Sequence, residues 1–197
     1  HDAVLVLLFL LVECHCHRQP LDLAEGLAGV LDGLVHLVVD GGVLARGEGR
    51  LLARARALKV PVIHIQHDAG PGSPYDIRAE NGAIAAKVAP REGEAVVVKH
   101  YPNSFVGTDL EAQLKATGRQ NVVFVGFMTH MCVNSTTRGA FNLGFAPTVV
   151  ASSTATRDLA DPQGNIVPAA TLQAASLAAL GDLFAVVVPD GAALPDA

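Results

Sequence analysis

Six short apolar runs, most of them rich in Val, recur along the chain, separated by Ala- and Leu-containing stretches of helical character. The runs are 3–12 (AVLVLLFLLV), 60–66 (VPVIHIQ), 95–99 (AVVVK), 121–125 (NVVFV), 146–151 (APTVVA) and 184–188 (FAVVV). Their hydrophobicity is continuous rather than alternating, which marks strands covered on both faces and therefore a parallel sheet. The intervening pattern predicts helices over about 43–58, 109–117, 131–143 and 168–180. Thr108-Asp109-Leu110-Glu111 reads as a capping box opening the second helix, with Gly118 closing it and Gly144 ending the third. Strands alternating with helices require right-handed βαβ crossovers, and these build a doubly wound α/β sheet. Residues 68–94 form a long Gly- and Pro-containing loop, a kind of segment that often carries function.

The first run needs separate treatment. Ten apolar residues fall short of the ~18–20 that span a bilayer. No basic residue precedes the run, and Glu13-Cys14-His15-Cys16 is a poor cleavage region for a signal peptide. It reads as a buried parallel strand. Half of the 197 residues are apolar and 17% are charged, so a core can form and disorder is excluded. The length suits one domain over 1–197. A formal net charge of −5 argues against nucleic acid or an anionic membrane as partner. Three cysteines do not pair evenly, which favours a reducing, cytoplasmic compartment over a disulfide framework.

In a doubly wound sheet, ligands bind beyond the carboxyl ends of the strands. The reactive residues placed there are Glu13 to His17 after the first run, His67-Asp68 after the second, Lys99 ending the third, and Cys132 shortly after the fourth. Cys132 follows strand, Gly-containing turn and helix start, where unpaired N–H groups and the helix dipole favour a thiolate and could hold an oxyanion. The competing reading is a small buried hydrophobe. Lys99 either snorkels to solvent or supplies a positive charge to a neighbouring thiolate. Cys14-His15-Cys16-His17 lacks the spacing of a structural zinc site, and His64 and His67 lack an obvious third ligand. Neither a metal nor a cofactor is expected, and no common phosphate loop is present.

From Val60 to about Val188 the chain resembles the isochorismatase-like cysteine hydrolases, a family that includes nicotinamidases and related amidases. The matching pieces are VPVIHIQHDAGPGSP (60–74), REGEAVVVKHYPNSFVGTDLEAQL (91–114), VVFVGFMTHMCVNSTTRGA (122–140) and ATRDL (155–159). The resemblance implies a six-stranded parallel sheet with helices on both faces in a Rossmann-like, three-layer arrangement, and commonly a homo-oligomer, a dimer or tetramer. It also implies an Asp–Lys–Cys triad, with Cys132 on the nucleophile and Lys99 on the lysine. A cis peptide is implied just before Met128, and the N–H groups of Met128 and Cys132 would form the oxyanion hole.

The triad Asp ends the first strand in the family. A direct alignment puts Leu8 at that position, and a shifted alignment of 9–15 puts Glu13 there, one methylene longer. Residues 8–50 depart from the family pattern throughout. No Asp-x-His element follows the second strand, which separates the chain from the metal-binding nicotinamidase branch. The expected activity is hydrolysis of an amide or related C–N bond of a small molecule through a thioester. Phe105, His67 and His130 are placed in the pocket. The alternatives are a catalytically impaired member that binds a ligand or partner, and a nucleotide-binding flavodoxin-like domain without phosphate-loop chemistry.

Overall fold

A computed structural model of the protein describes residues 6–11 and 46–194. The strands are β1 (Val6–Leu11), β2 (Val62–His67), β3 (Ala95–Lys99), β4 (Asn121–Phe127), β5 (Ala146–Ala155) and β8 (Val186–Val188). They form one parallel six-stranded sheet in the order β3-β2-β1-β4-β5-β8. The helices are α1 (Arg46–Ala57), α2 (Leu110–Ala116), α3 (Asn134–Asn142) and α4 (Ala169–Gly181). The sequence did not disclose β6 (Leu159–Ala160) and β7 (Ile166–Val167), which pair as a separate antiparallel hairpin. Two residues per strand carry no periodicity to detect.

Alternate residues of the central strands enter two different cores, which is why the runs read as continuously apolar. Ile63, Ile65, Val122, Phe124 and Val149 pack with Leu110, Leu114, Ala140 and Leu180 from α2, α3 and α4. Val62, Val123, Val125 and Val150 pack with Leu51, Leu52 and Ala55 of α1 and with Leu194. The expected three-layer architecture is the one observed. Strand order reverses between β1 and β4, so the switch point, and with it the ligand crevice of this fold type, lies at their carboxyl ends.

Two local expectations are corrected. Thr108 does not open a capping box: Asp109 is the N-cap and makes no side-chain cap bond, while Glu111 pairs with Lys115 one turn on at 2.5 Å. Thr108 instead donates to the Ser104 carbonyl (2.5 Å) and accepts a long bond from Leu110 N–H (3.3 Å), so it secures the loop more than the helix. The third helix also begins differently. Its predicted first residues belong to a wide turn, Thr129–Val133, in which Val133 N–H bonds the carbonyl of Met128 five residues back and Asn134 N–H that of Thr129. Gly118 and Gly144 end their helices as expected, at φ of +69° and +85°.

Candidate active site

Cys132 sits in that wide turn, immediately beyond the carboxyl end of β4. Single turns of this π type inside or beside helices are frequent at functional sites. The turn opens on a cis peptide between Phe127 and Met128, as the resemblance implied. Cys132 is a free cysteine, 3% exposed, on the α3 side of the sheet with Ile65, Val97 and Val133. Lys99, ending β3, has no exposed surface at all. The snorkelling alternative is therefore excluded. Its amine donates to the Pro102 carbonyl at 2.7 Å, and Cys132 is its electrostatic neighbour. Burial pushes the Lys99 amine below its ordinary value, and the adjoining Cys132 sulfur pulls it back toward the charged form.

His67 stands beside Lys99 in the sheet, the two being register partners at the ends of β2 and β3. Its ring lies 5.2 Å from that of Tyr75, and burial, then the Lys99 charge, hold it below the usual histidine range. His130 belongs to the same turn as Cys132, and its Nδ1 bonds Thr156 Oγ1 just past β5. Burial and the Arg157 charge lower its protonation too. Met128 immediately precedes the turn as its N-cap and is buried, at 8% exposure. The contacts of Phe105 are packing contacts: its ring stacks on Phe145 with centroids 6.2 Å apart and lies against Gly139.

Asp68, named among the strand-end groups, is committed to the long loop. Gly70 N–H and the forked Arg78 guanidinium bind it and hold its carboxyl below the usual range against burial. Arg78 also bonds Asp76, so one cation gathers both carboxylates. His64, the other histidine of β2, faces α1 instead and bonds Glu94 at 2.9 Å. Among the described residues no carboxylate is paired with Lys99. Glu13 and the Cys14–His17 cluster lie outside the described residues. Leu8 pairs with Ile63 and Phe124, four residues before the His67–Lys99 row. At ~3.3 Å per residue that is about 13 Å back into the sheet. Leu11, by contrast, pairs with Gln66, one row short of Lys99.

Sequence reasoning missed Ser104 and Thr136, two fully buried hydroxyls that bond each other beside Lys99. Thr136 stands four residues after Cys132, about one helical turn on, but nothing in that spacing alone marks its hydroxyl as part of the site. Among the described residues, no helix is long and apolar enough to cross a membrane.

The family model described as the isochorismatase domain matches residues 43–189. A secreted isochorismatase effector of Verticillium dahliae is 35% identical over 87% of this chain and 95% of its own length. A streptothricin hydrolase of Streptomyces noursei is 36% identical over 78% of this chain and 55% of its own length. The crystal structure of an isochorismatase from Pseudomonas putida superposes with a TM-score of 0.75 at 30% identity, covering 97% of this chain and 89% of that one. With the sheet order, the turn after β4 and the buried Lys99 beside Cys132 already in place, the chain belongs to the isochorismatase family of hydrolases.

Proposed function

We propose that this hydrolase cleaves an amide or related C–N bond of a small molecule, with Cys132 as nucleophile. The observation that carries the reading is the Lys99 amine, wholly buried, held by one carbonyl and set beside Cys132. Burying a cation is costly unless a partner compensates it. A lysine that only filled space there would be replaced by Met at no loss, whereas a thiolate beside it gains a fixed positive charge. A ureidoacrylate amidohydrolase of Pseudomonas syringae, 29% identical, supports hydrolysis at a C–N bond by its name, and the streptothricin hydrolase supports hydrolysis.

The Cys132 thiolate adds to the carbonyl carbon, forming a C–S bond and an oxyanion. The backbone N–H groups of Met128 and Cys132 receive that oxyanion. Collapse breaks the C–N bond, and the departing nitrogen takes a proton from the acid form of a carboxylate, which we assign to Glu13. Water then gives a proton to that carboxylate and adds to the thioester, releasing the acid product and the thiolate. Lys99 stabilises the negative charge that passes through the sulfur. His67 and His130 border the site and contact the substrate.

A panel of small amides and ureido compounds, assayed with wild type, Cys132→Ala, Cys132→Ser and Glu13→Gln, tests this. Wild type is expected to turn over at least one compound and to yield a trapped acyl adduct on the Cys132 peptide. Both Cys132 variants lose turnover while keeping the circular dichroism of wild type. Glu13→Gln falls by ~10²–10⁴-fold, the ordinary contribution of general acid–base catalysis. Turnover that survives in Cys132→Ser, or Cys132 variants that lose the fold along with activity, would sink the assignment in favour of a packing role. Full activity in Glu13→Gln removes Glu13 from the mechanism.

A further inference from the structure

The contacts around Lys99 continue past Pro102 into the helix that follows Cys132. The Pro102 carbonyl, which accepts from Lys99 Nζ at 2.7 Å, also accepts from Thr136 Oγ1 at 3.3 Å. Thr136 Oγ1 in turn accepts from Ser104 N–H at 3.1 Å and shares a 2.9 Å bond with Ser104 Oγ. Lys99, Ser104 and Thr136 all have zero exposure. A helical threonine commonly turns its hydroxyl back to its own helix, as Thr117 at the end of α2 does to the Leu114 carbonyl at 2.6 Å. Thr136 reaches across to a loop carbonyl instead.

Spacing explains why it can. Thr136 is four residues beyond Cys132 and Gly139 three further, the spacing that brings side chains onto one helix face. The loop after β3 runs along that face. Lys99 lies beside Cys132, Pro102 and Ser104 meet Thr136, and Asn103 and Phe105 close over Gly139. A Cβ at Gly139 would stand 2.8 Å from the Asn103 side chain and 3.0 Å from the Phe105 ring, so only glycine admits the loop so closely. Asn103 in turn accepts from Phe105 N–H through its Oδ1. The loop is thereby stitched to the element that carries the nucleophile, and the carbonyl that holds the amine is part of the stitch.

We propose that Thr136 and Ser104 are positioning residues, fixing the Pro102 carbonyl and through it the Lys99 ammonium beside Cys132. The proposal rests on the reading of Cys132 and Lys99 given above, but its test does not use turnover. The measurement is the rate at which iodoacetamide alkylates Cys132 in the full chain at pH 7, followed by peptide mass spectrometry. Thr136→Val is expected to slow alkylation about tenfold, the size of an ordinary coupling within one hydrogen-bond network. Thr136→Ser restores the wild-type rate, because it returns the hydroxyl without the methyl group. In a Lys99→Met background, Thr136→Val has no further effect, because the group it positions is gone. Equal slowing in both backgrounds, or no slowing in wild type, overturns the proposal. Should Thr136→Val not fold, Ser104→Ala completes the same cycle. A failed cycle leaves the Cys132 assignment standing, and a failed Cys132 assignment shows itself only in the turnover panel.

Discussion

Lys99 is among the largest fully buried side chains described, and its burial disfavours the charge it would carry. Its neighbours explain its retention only if the charge is used. The consequence can be measured on the folded protein without a substrate. Burial lowers the folded-state affinity of the Lys99 amine for its proton below the ordinary 10.5. Between that lowered value and 10.5 the unfolded chain binds the extra proton, so native stability rises with pH across the window. Lys99→Met fills a similar volume without an amine and lacks that contribution. Its stability at neutral pH is expected to equal or exceed that of wild type, while hydrolysis falls by about 10²-fold, a cost in the range for removing one preorganised electrostatic group. Urea melts of both proteins at several pH values between 7 and 10.5 check the first expectation. Parallel pH dependences for the two would mean that the amine is not desolvated as the geometry requires.

At the scale of elements, the helix ends show where local chemistry and tertiary contacts disagree. Two residues past the end of α1, Lys59 holds φ at +55° while Val60 N–H bonds the Ala55 carbonyl at 2.8 Å. Glycine is the residue suited to that conformation, as Gly118 and Gly144 are after α2 and α3. Lys59→Gly is therefore expected to raise stability by about 0.5 kcal/mol, the relief of left-handed strain less the added entropy of the unfolded chain. A thermal melt reads the sign, and a lowered midpoint would show that the lysine charge at the helix end outweighs the strain. The same comparison locates what was legible in advance. β2, β4 and β5 could be read because each faces two cores, whereas the edge strands β3 and β8, with Val96, Val98 and Val186 exposed, could be read only from their runs of valine. Cys132 and Lys99 could be read because both follow strand ends within the motifs that carry the resemblance. Ser104 and Thr136 could not, since a hydroxyl in a loop and one in a helix look ordinary until α3 and the loop after β3 are packed together. The supposed capping box failed for a related reason: Thr108 donates to a loop carbonyl and keeps only a long bond from Leu110 N–H, while Glu111 pairs with Lys115 instead of reaching back.

Across the whole molecule, the active-site face is balanced by a second, partly buried set of charges on the opposite face of the sheet. Arg56 of α1 grips Glu94 with two bonds of 2.7 Å and reaches the Ala89 carbonyl at 2.9 Å. The same carboxylate accepts from Arg91 N–H at 2.9 Å and bonds His64 of β2, also at 2.9 Å. Glu94 immediately precedes β3, so this cluster clamps α1, β2 and the entry to β3, the strand that delivers Lys99 to the site. The Arg56 guanidinium, ahead of the backbone and His64 bonds, holds the Glu94 carboxyl at about 2, well below its ordinary 4.5. Burial holds His64 below 6.5 despite the carboxylate beside it. In both cases the unfolded chain binds more protons than the native one within the window, so stability falls as the solution is acidified. The His64 contribution is lost first, below pH 6.5. The Glu94 contribution is complete above pH 4.5 and is lost as pH falls through 4.5 toward 2. Glu94→Gln removes the charge but keeps the shape, and is expected to cost about 2 kcal/mol at pH 7, less than a fully buried pair would because the cluster is partly open to solvent. The difference between the variant and wild type should then shrink steadily as pH drops below 4.5, measured by urea unfolding at pH 7, 5, 4 and 3. A difference that stays constant across that range would mean that Glu94 stabilises the fold by its packing and not by its charge. In that event the delivery of β3 to the site depends on the apolar contacts of α1 alone.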